Sequence, residues 1–185
     1  MTKSAETAHD LVVFGATSFV GQILTRYLLE TYGVGKSVKW AIAGRSESKL
    51  NALKSELGEK ASAVPVILAD ASDEDALKAM CEQTRVIIST VGPYALYGEP
   101  LVQACVRSGT DYCDLTGEVQ WIAKMVQRYE EEAKASGARI VHCCGFDSIP
   151  SDMGVWFLQN QAEQTFGEPC RDVRMRVKTA KGEFS

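Results

Sequence analysis

Short, uninterrupted apolar runs alternate along this chain with longer stretches whose apolar residues recur every three or four positions. Leu11-Val12-Val13-Phe14 leads into Gly15 and predicts a buried strand closed by a glycine turn. From Phe19 to Thr31 the apolar positions Phe19, Val20, Ile23, Leu24, Tyr27 and Leu28 form one helix face. The alternation continues with predicted strands at Val38–Ala43, Val64–Leu68, Arg85–Thr90, Asp111–Asp114 and Ala138–Cys143. The intervening helices are expected at Ser46–Leu57, Asp73–Glu82, Glu99–Ser108 and Glu118–Ser136, with Pro100 in a first turn and Gly137 as a C-cap.

Six strands separated by five helices make a βαβ series. Apolar strands without polar alternation imply a parallel sheet covered on both faces. The expected fold class is therefore α/β, a doubly wound parallel sheet in the order 3-2-1-4-5-6, the NAD(P)-binding Rossmann arrangement. Residues 1–150 are expected to form that domain. Residues 151–185 are expected to supply a connecting helix, Ser151–Gln164, and the first strand of a truncated second α/β domain. That strand is placed at Asp172–Thr179, where Val173, Met175 and Val177 alternate. Alone it cannot bury its face, so a missing second domain or a second copy of the chain, as in a homodimer, is expected to cover it.

Composition narrows the function. The chain has 185 residues, 45% apolar and 24% charged, with a net charge of −4. It lacks the basic footprint of a nucleic-acid binder. No run approaches the ~18 apolar residues of a membrane span. The polar start, Met1 to Asp10, does not read as a secretory signal. Six cysteines without a C-x-x-C pair predict reduced thiols, no metal site and a cytoplasmic location.

The chemistry-bearing residues fall in the loops after strands. Gly15-Ala16-Thr17-Ser18-Phe19-Val20-Gly21 joins the first strand to the first helix. A dinucleotide pyrophosphate requires a tight turn, close backbone approach and free amides at a helix N-terminus. Gly15 supplies the turn, Gly21 allows close packing, and Thr17 and Ser18 offer hydroxyls for phosphate or for capping. Ser18 stands where G-x-x-G-x-x-G would place its second glycine. The second loop carries Arg45, Ser46 and Lys49 and lacks the acid that reads a ribose 2′-hydroxyl, which favours NADP over NAD. Asp70 follows the third strand as either an adenine neighbour or a helix-start acid. Thr90-Val91-Gly92-Pro93-Tyr94 follows the fourth and borders the switch point between strands one and four. Tyr94 is a candidate to reach nicotinamide or substrate, or else a core tyrosine. Two further clusters, Tyr112 to Glu118 and Gly145 to Asp152, concentrate acids and hydroxyls. They either face a substrate, with Asp147 a second catalytic candidate, or cap helices through Thr116, Ser148 and Asp152. His142 reads as a satisfied core histidine and Cys143-Cys144 as a buried strand end.

These stretches, with Ala43-Gly44-Arg45-Ser46 and Tyr97-Gly98, resemble the saccharopine dehydrogenase-like oxidoreductases, including the bacterial trans-acting enoyl reductases. The resemblance runs from residue 11 to about 155, and its last two motifs are the most specific. It implies an NADP-type Rossmann domain followed by a mixed α/β domain, and hydride transfer to or from a small or lipid-linked substrate. The alternative is a non-enzymatic module that senses NADP and acts through a protein partner; the fold alone does not separate the two.

Overall fold

The structure, a computed structural model, describes residues 7–179. Six strands are present: β1 (His9–Phe14), β2 (Trp40–Gly44), β3 (Val66–Leu68), β4 (Thr84–Ser89), β5 (Asp111–Asp114) and β6 (Ile140–Val141). The helices are α1 (Phe19–Tyr32), α2 (Glu47–Glu56), α3 (Glu74–Glu82), α4 (Tyr94–Tyr97), α5 (Glu99–Ser108), α6 (Val119–Ser136) and α7 (Ile149–Phe166). The strands form one sheet in the order β3-β2-β1-β4-β5-β6. Every pairing is parallel.

Alternate residues of the central strands enter opposite cores. Val12, Phe14, Ala41, Ala43 and Ile87 pack with Leu77, Met80, Leu101, Val102 and Met125 from α3, α5 and α6. Val13 and Ile42 pack with Leu28, Leu29, Leu50 and Leu53 from α1 and α2. Burial on both faces is why these strands read as continuous apolar runs. The first three helices, α1, α2 and α3, start with side-chain caps. Ser18 accepts from the Gly21 amide, Ser46 from Lys49 and Asp73 from Ala76. Each such cap is typically worth ~1 kcal/mol.

Contacts divide the chain between Cys144 and Gly145. The expected boundary at 150 lies in the first turn of α7, where Pro150 suits a helix start. In this second unit Gln159 clasps the chain beyond the helix, its carbonyl accepting from the Cys170 amide at 2.7 Å and its amide donating to the Cys170 carbonyl at 3.1 Å.

Two expectations require correction. The strand at Asp172–Thr179 is absent: these residues are irregular, and Met175 and Val177 are each 66% exposed. Alternation supplies a face but no backbone partner, and an unpaired strand leaves its amides and carbonyls unsatisfied. The last strand covers only Ile140–Val141, so Cys143 and Cys144 lie beyond it. Cys143 turns the chain with φ +61°, and Cys144 is exposed, not a buried strand end.

Candidate functional site

The carboxyl ends of all six strands point to one edge of the sheet, where ligands of open α/β sheets bind. At its centre is the β1–α1 turn. Gly15 has φ +85°, and a Cβ there would lie 2.6 Å from Val91 Cγ2 and 2.8 Å from Thr90 Oγ1. Gly21 is limited by space alone, since a Cβ would sit 2.3 Å from the Gly15 carbonyl oxygen and 2.8 Å from Ala16 Cα. Neither position accepts a side chain without movement, so both glycines are dictated by contact between α1 and the strand ends.

A hydroxyl relay fastens the turn. The Ser18 hydroxyl donates to Thr90 Oγ1 at 2.9 Å, and Thr90 donates to the Gly15 carbonyl at 2.9 Å. Thr90 is almost fully buried, so its hydroxyl serves the turn. The Gly15 and Ala16 amides donate to the Ala43 carbonyl, and the Ser18 amide to Gly15. The amides of Phe19 and Val20, first in α1, donate to no partner among the described residues. These two donors lie at the positive end of a 14-residue helix, where negative charge is favoured. The side chains of Phe19 and Val20 are exposed, whereas Ala16 is buried and Thr17 half-buried.

Toward β3, Arg45 and Lys49 are exposed at the end of β2 and in the first turn of α2. Ser46 Oγ lies 3.1 Å from Ser48 Oγ as well as capping Lys49. Asp70 bends back on its own loop, accepting from the Ser72 amide at 2.9 Å and hydroxyl at 2.7 Å. Those hydrogen bonds, with a smaller contribution from Arg45, hold its carboxyl below the usual range. Arg45 and Asp70 therefore share one corner of the edge.

Beyond β4 the chain passes through exposed Gly92 and Pro93 into α4, a turn absent from the sequence reading. Tyr94 points inward: only 6% exposed, its hydroxyl donates to the Ser89 carbonyl at 3.0 Å. Burial drives that phenol well above its ordinary range. The Tyr94 and Ala95 amides donate to the two Glu118 oxygens at 2.7 and 2.8 Å. Glu118 thus holds the β4 loop through main-chain atoms, and sequence spacing gives no sign of a contact between residues 24 apart.

At the β5 and β6 ends, Asp114 is 1% exposed and saturated with donors. Its Oδ1 accepts from the Thr116 and Cys143 amides at 3.1 Å, and its Oδ2 from the Tyr112 hydroxyl at 2.9 Å. His142 Nδ1 lies 2.7 Å from the same Oδ2. Burial pushes the neighbouring Cys113 thiol up to about 12, so at neutral pH it is a thiol and not a nucleophile. Thr116 Oγ1 accepts from the Glu118 amide, while Ser148 makes no side-chain cap. In the second unit Asp147 is exposed in the turn preceding α7.

Fold and turn together define a doubly wound α/β domain with a tight glycine turn between β1 and α1. Residues 11–141 match the model of the saccharopine dehydrogenase NADP-binding domain, and the chain belongs to that family. A trans-acting enoyl reductase of Mycobacterium tuberculosis is 44% identical over 167 residues, covering 90% of this chain and 39% of its own length. One of Mycobacterium ulcerans is 43% identical over 161 residues, covering 87% and 38%. The chain thus spans about two-fifths of the length of these curated relatives. The fold is shared with saccharopine dehydrogenase (L-Glu forming) of Saccharomyces cerevisiae, with a TM-score of 0.67 at 18% identity over 84% of this chain and 32% of that one. No helix among the described residues is long and apolar enough to cross a membrane.

Proposed function

We propose that the carboxyl edge at β1, β2 and β4 binds NADPH and that the chain is the cofactor-binding part of an oxidoreductase. Its reaction moves hydride between the nicotinamide and a small or lipid-linked substrate, of which an enoyl thioester is the best-supported class. The pair of open amides at Phe19 and Val20, above the Gly15 turn, carries this reading. They receive the pyrophosphate, with Thr17 and Ser18 at the same turn. Arg45, Ser46 and Lys49 take the 2′-phosphate, and Asp70 borders the adenosine. Val91, Gly92 and Pro93 line the nicotinamide end with backbone groups. Tyr94 serves by holding that loop, because its hydroxyl is committed to Ser89. Asp147 is retained as a candidate on the substrate side. The bound cofactor supplies the hydride; the protein supplies orientation.

The relatives' names support the enoyl class, and the family's NADP-binding domain supports the choice of NADPH over NADH. Titration of both cofactors against the native chain and Arg45→Ala tests the site. One charged hydrogen bond is worth ~1.5–3 kcal/mol, or roughly 10- to 150-fold. NADPH is expected to bind tighter than NADH by that factor, and Arg45→Ala to erase the preference. Equal native affinities overturn the assignment. Turnover requires a substrate held against the nicotinamide, so the 185-residue chain alone is expected to bind cofactor without measurable NADPH consumption on carbonyl and enoyl substrates.

A further inference from the structure

In the second unit, α7 turns an apolar face to water. Ile149, Met153 and Trp156 recur at spacings of four and three, with Phe157 beside them, which places the four on one side of the helix. They are 41%, 47%, 64% and 60% exposed. The helix is anchored by other residues: Ala162 is buried, and Gln159 clasps Cys170. Its two charged residues, Asp152 and Glu163, stand beside the stripe and not within it.

The size and chemistry of this stripe point to its cover. A buried aromatic side chain removes ~150–250 Å² from water, so at these exposures the four residues leave roughly 450 Å² of apolar surface open. A standard interface buries ~800 Å² on each partner, and about 65% of a homodimer interface is apolar, or roughly 500 Å². The stripe is therefore the size of the apolar part of one such interface. A two-fold pair sets one patch against itself, so the patch must be self-complementary. An uncharged stripe meets that condition, because no like charges are brought together and no ion is buried unpaired. Trp156 and Phe157 are also of the aromatic type enriched where interfaces lose their water.

We propose that a second copy of this chain packs on the stripe, α7 against α7 about a two-fold axis, with Trp156 and Phe157 at the centre of the contact. The proposal does not depend on the nucleotide reading, since it uses no residue of the β1–α1 turn or of the loops after β2 and β4.

The test uses the full 185-residue chain. Sedimentation velocity at about 100 μM is expected to give twice the mass of one chain. Dilution is then continued until the mass is that of one chain, and tryptophan emission is followed throughout. Trp40 and Trp121 are buried, so a change on dissociation reports Trp156. Emission is expected to move to the red as that indole returns to water. Trp156→Glu puts a charge at the centre and is expected to weaken the dimer at least ~30-fold, the scale of a hot-spot residue. Phe157→Asp is expected to act in the same direction. Ile23→Glu, on the exposed apolar side of α1, is expected to leave the dimer unchanged. A native chain that is monomeric at about 100 μM overturns the proposal and leaves the stripe to a further domain or a foreign protein. A dimer that dissociates without a change in emission, or that Ile23→Glu breaks and Trp156→Glu does not, overturns it too, because the contact then lies elsewhere. The readings on the native chain stand even if a variant fails to fold.

Discussion

The centre of the sheet's carboxyl edge, at β1, and its β5–β6 end are held by different kinds of interaction. Around β1 and α1 the geometry comes from main-chain atoms and missing side chains. Gly15 and Gly21 leave room, and Ser18 and Thr90 stitch carbonyls together. Around β5 and β6 it comes from a buried carboxylate that gathers a phenol, an imidazole and two amides from separate segments. The first construction leaves main-chain amides at the start of α1 without partners among the described residues. The second uses up its main-chain and side-chain donors on one buried carboxylate.

Removing the keystone of the second construction has the largest expected effect. Asp114→Ala strands the Tyr112 hydroxyl, His142 Nδ1 and two amides in the interior. Losing one partner of a buried, hydrogen-bonded polar pair typically costs ~3–5 kcal/mol. Thermal unfolding is expected to move down by roughly 6–20 °C, taking ~2–4 °C per kcal/mol for a chain of this size. Asp114→Asn retains a carbonyl acceptor and is expected to cost clearly less. If both substitutions cost the same, the network is held by its other members and the contrast between the two regions fails.

Gly21→Val attacks the first construction and is expected to rank next. Its side chain meets the backbone of Gly15 and Ala16, which cannot rotate aside. Overpacking of this kind costs ~1–3 kcal/mol, and occasionally more. NADPH binding is expected to disappear with it, because α1 carries the amides of Phe19 and Val20. Gly15→Val opposes side-chain atoms of Val91 and Thr90 but also demands positive φ from a branched residue. It is expected to remain folded and to lose cofactor. A Gly15→Val chain that binds NADPH normally places the pyrophosphate elsewhere.

The same contrast explains what the sequence could disclose. Strand order, helix positions, the positive φ at Gly15 and the tight approach at Gly21 were legible because each follows from local pattern and βαβ geometry. Gly137 as a terminator is local as well. The Asp114–His142 pair joins residues 28 apart across two strands, and no spacing rule announces it. Tyr94 was ambiguous for a related reason. Its side chain turns inward because Ser89 and Leu115 offer partners, and those are set by the pairing of β4 with β5. At Asp172–Thr179 the alternation was correctly read and the conclusion failed, since period two describes a face and does not supply a neighbouring strand.

The smallest expected effect comes from Glu118, the residue that ties the β4 loop to the start of α6. Its two oxygens accept from the consecutive amides of Tyr94 and Ala95. Glu118→Gln preserves shape but offers one acceptor oxygen, and its NH₂ faces an amide that also donates. One of the two bonds is therefore lost, and the other becomes neutral. The net cost is expected to be ~1 kcal/mol, the scale of a single hydrogen bond, and the unfolding midpoint to fall by roughly 2–4 °C. The informative comparison is with cofactor affinity. Because Gly92 and Pro93 precede the clasped amides, a loosened loop is expected to weaken NADPH binding severalfold and leave the preference over NADH, set at Arg45, unchanged. If stability falls and NADPH affinity does not, the β4 loop is scaffold and the nicotinamide end of the site is formed by other residues. If the preference itself shifts, the separation between a phosphate end and a nicotinamide end is wrong.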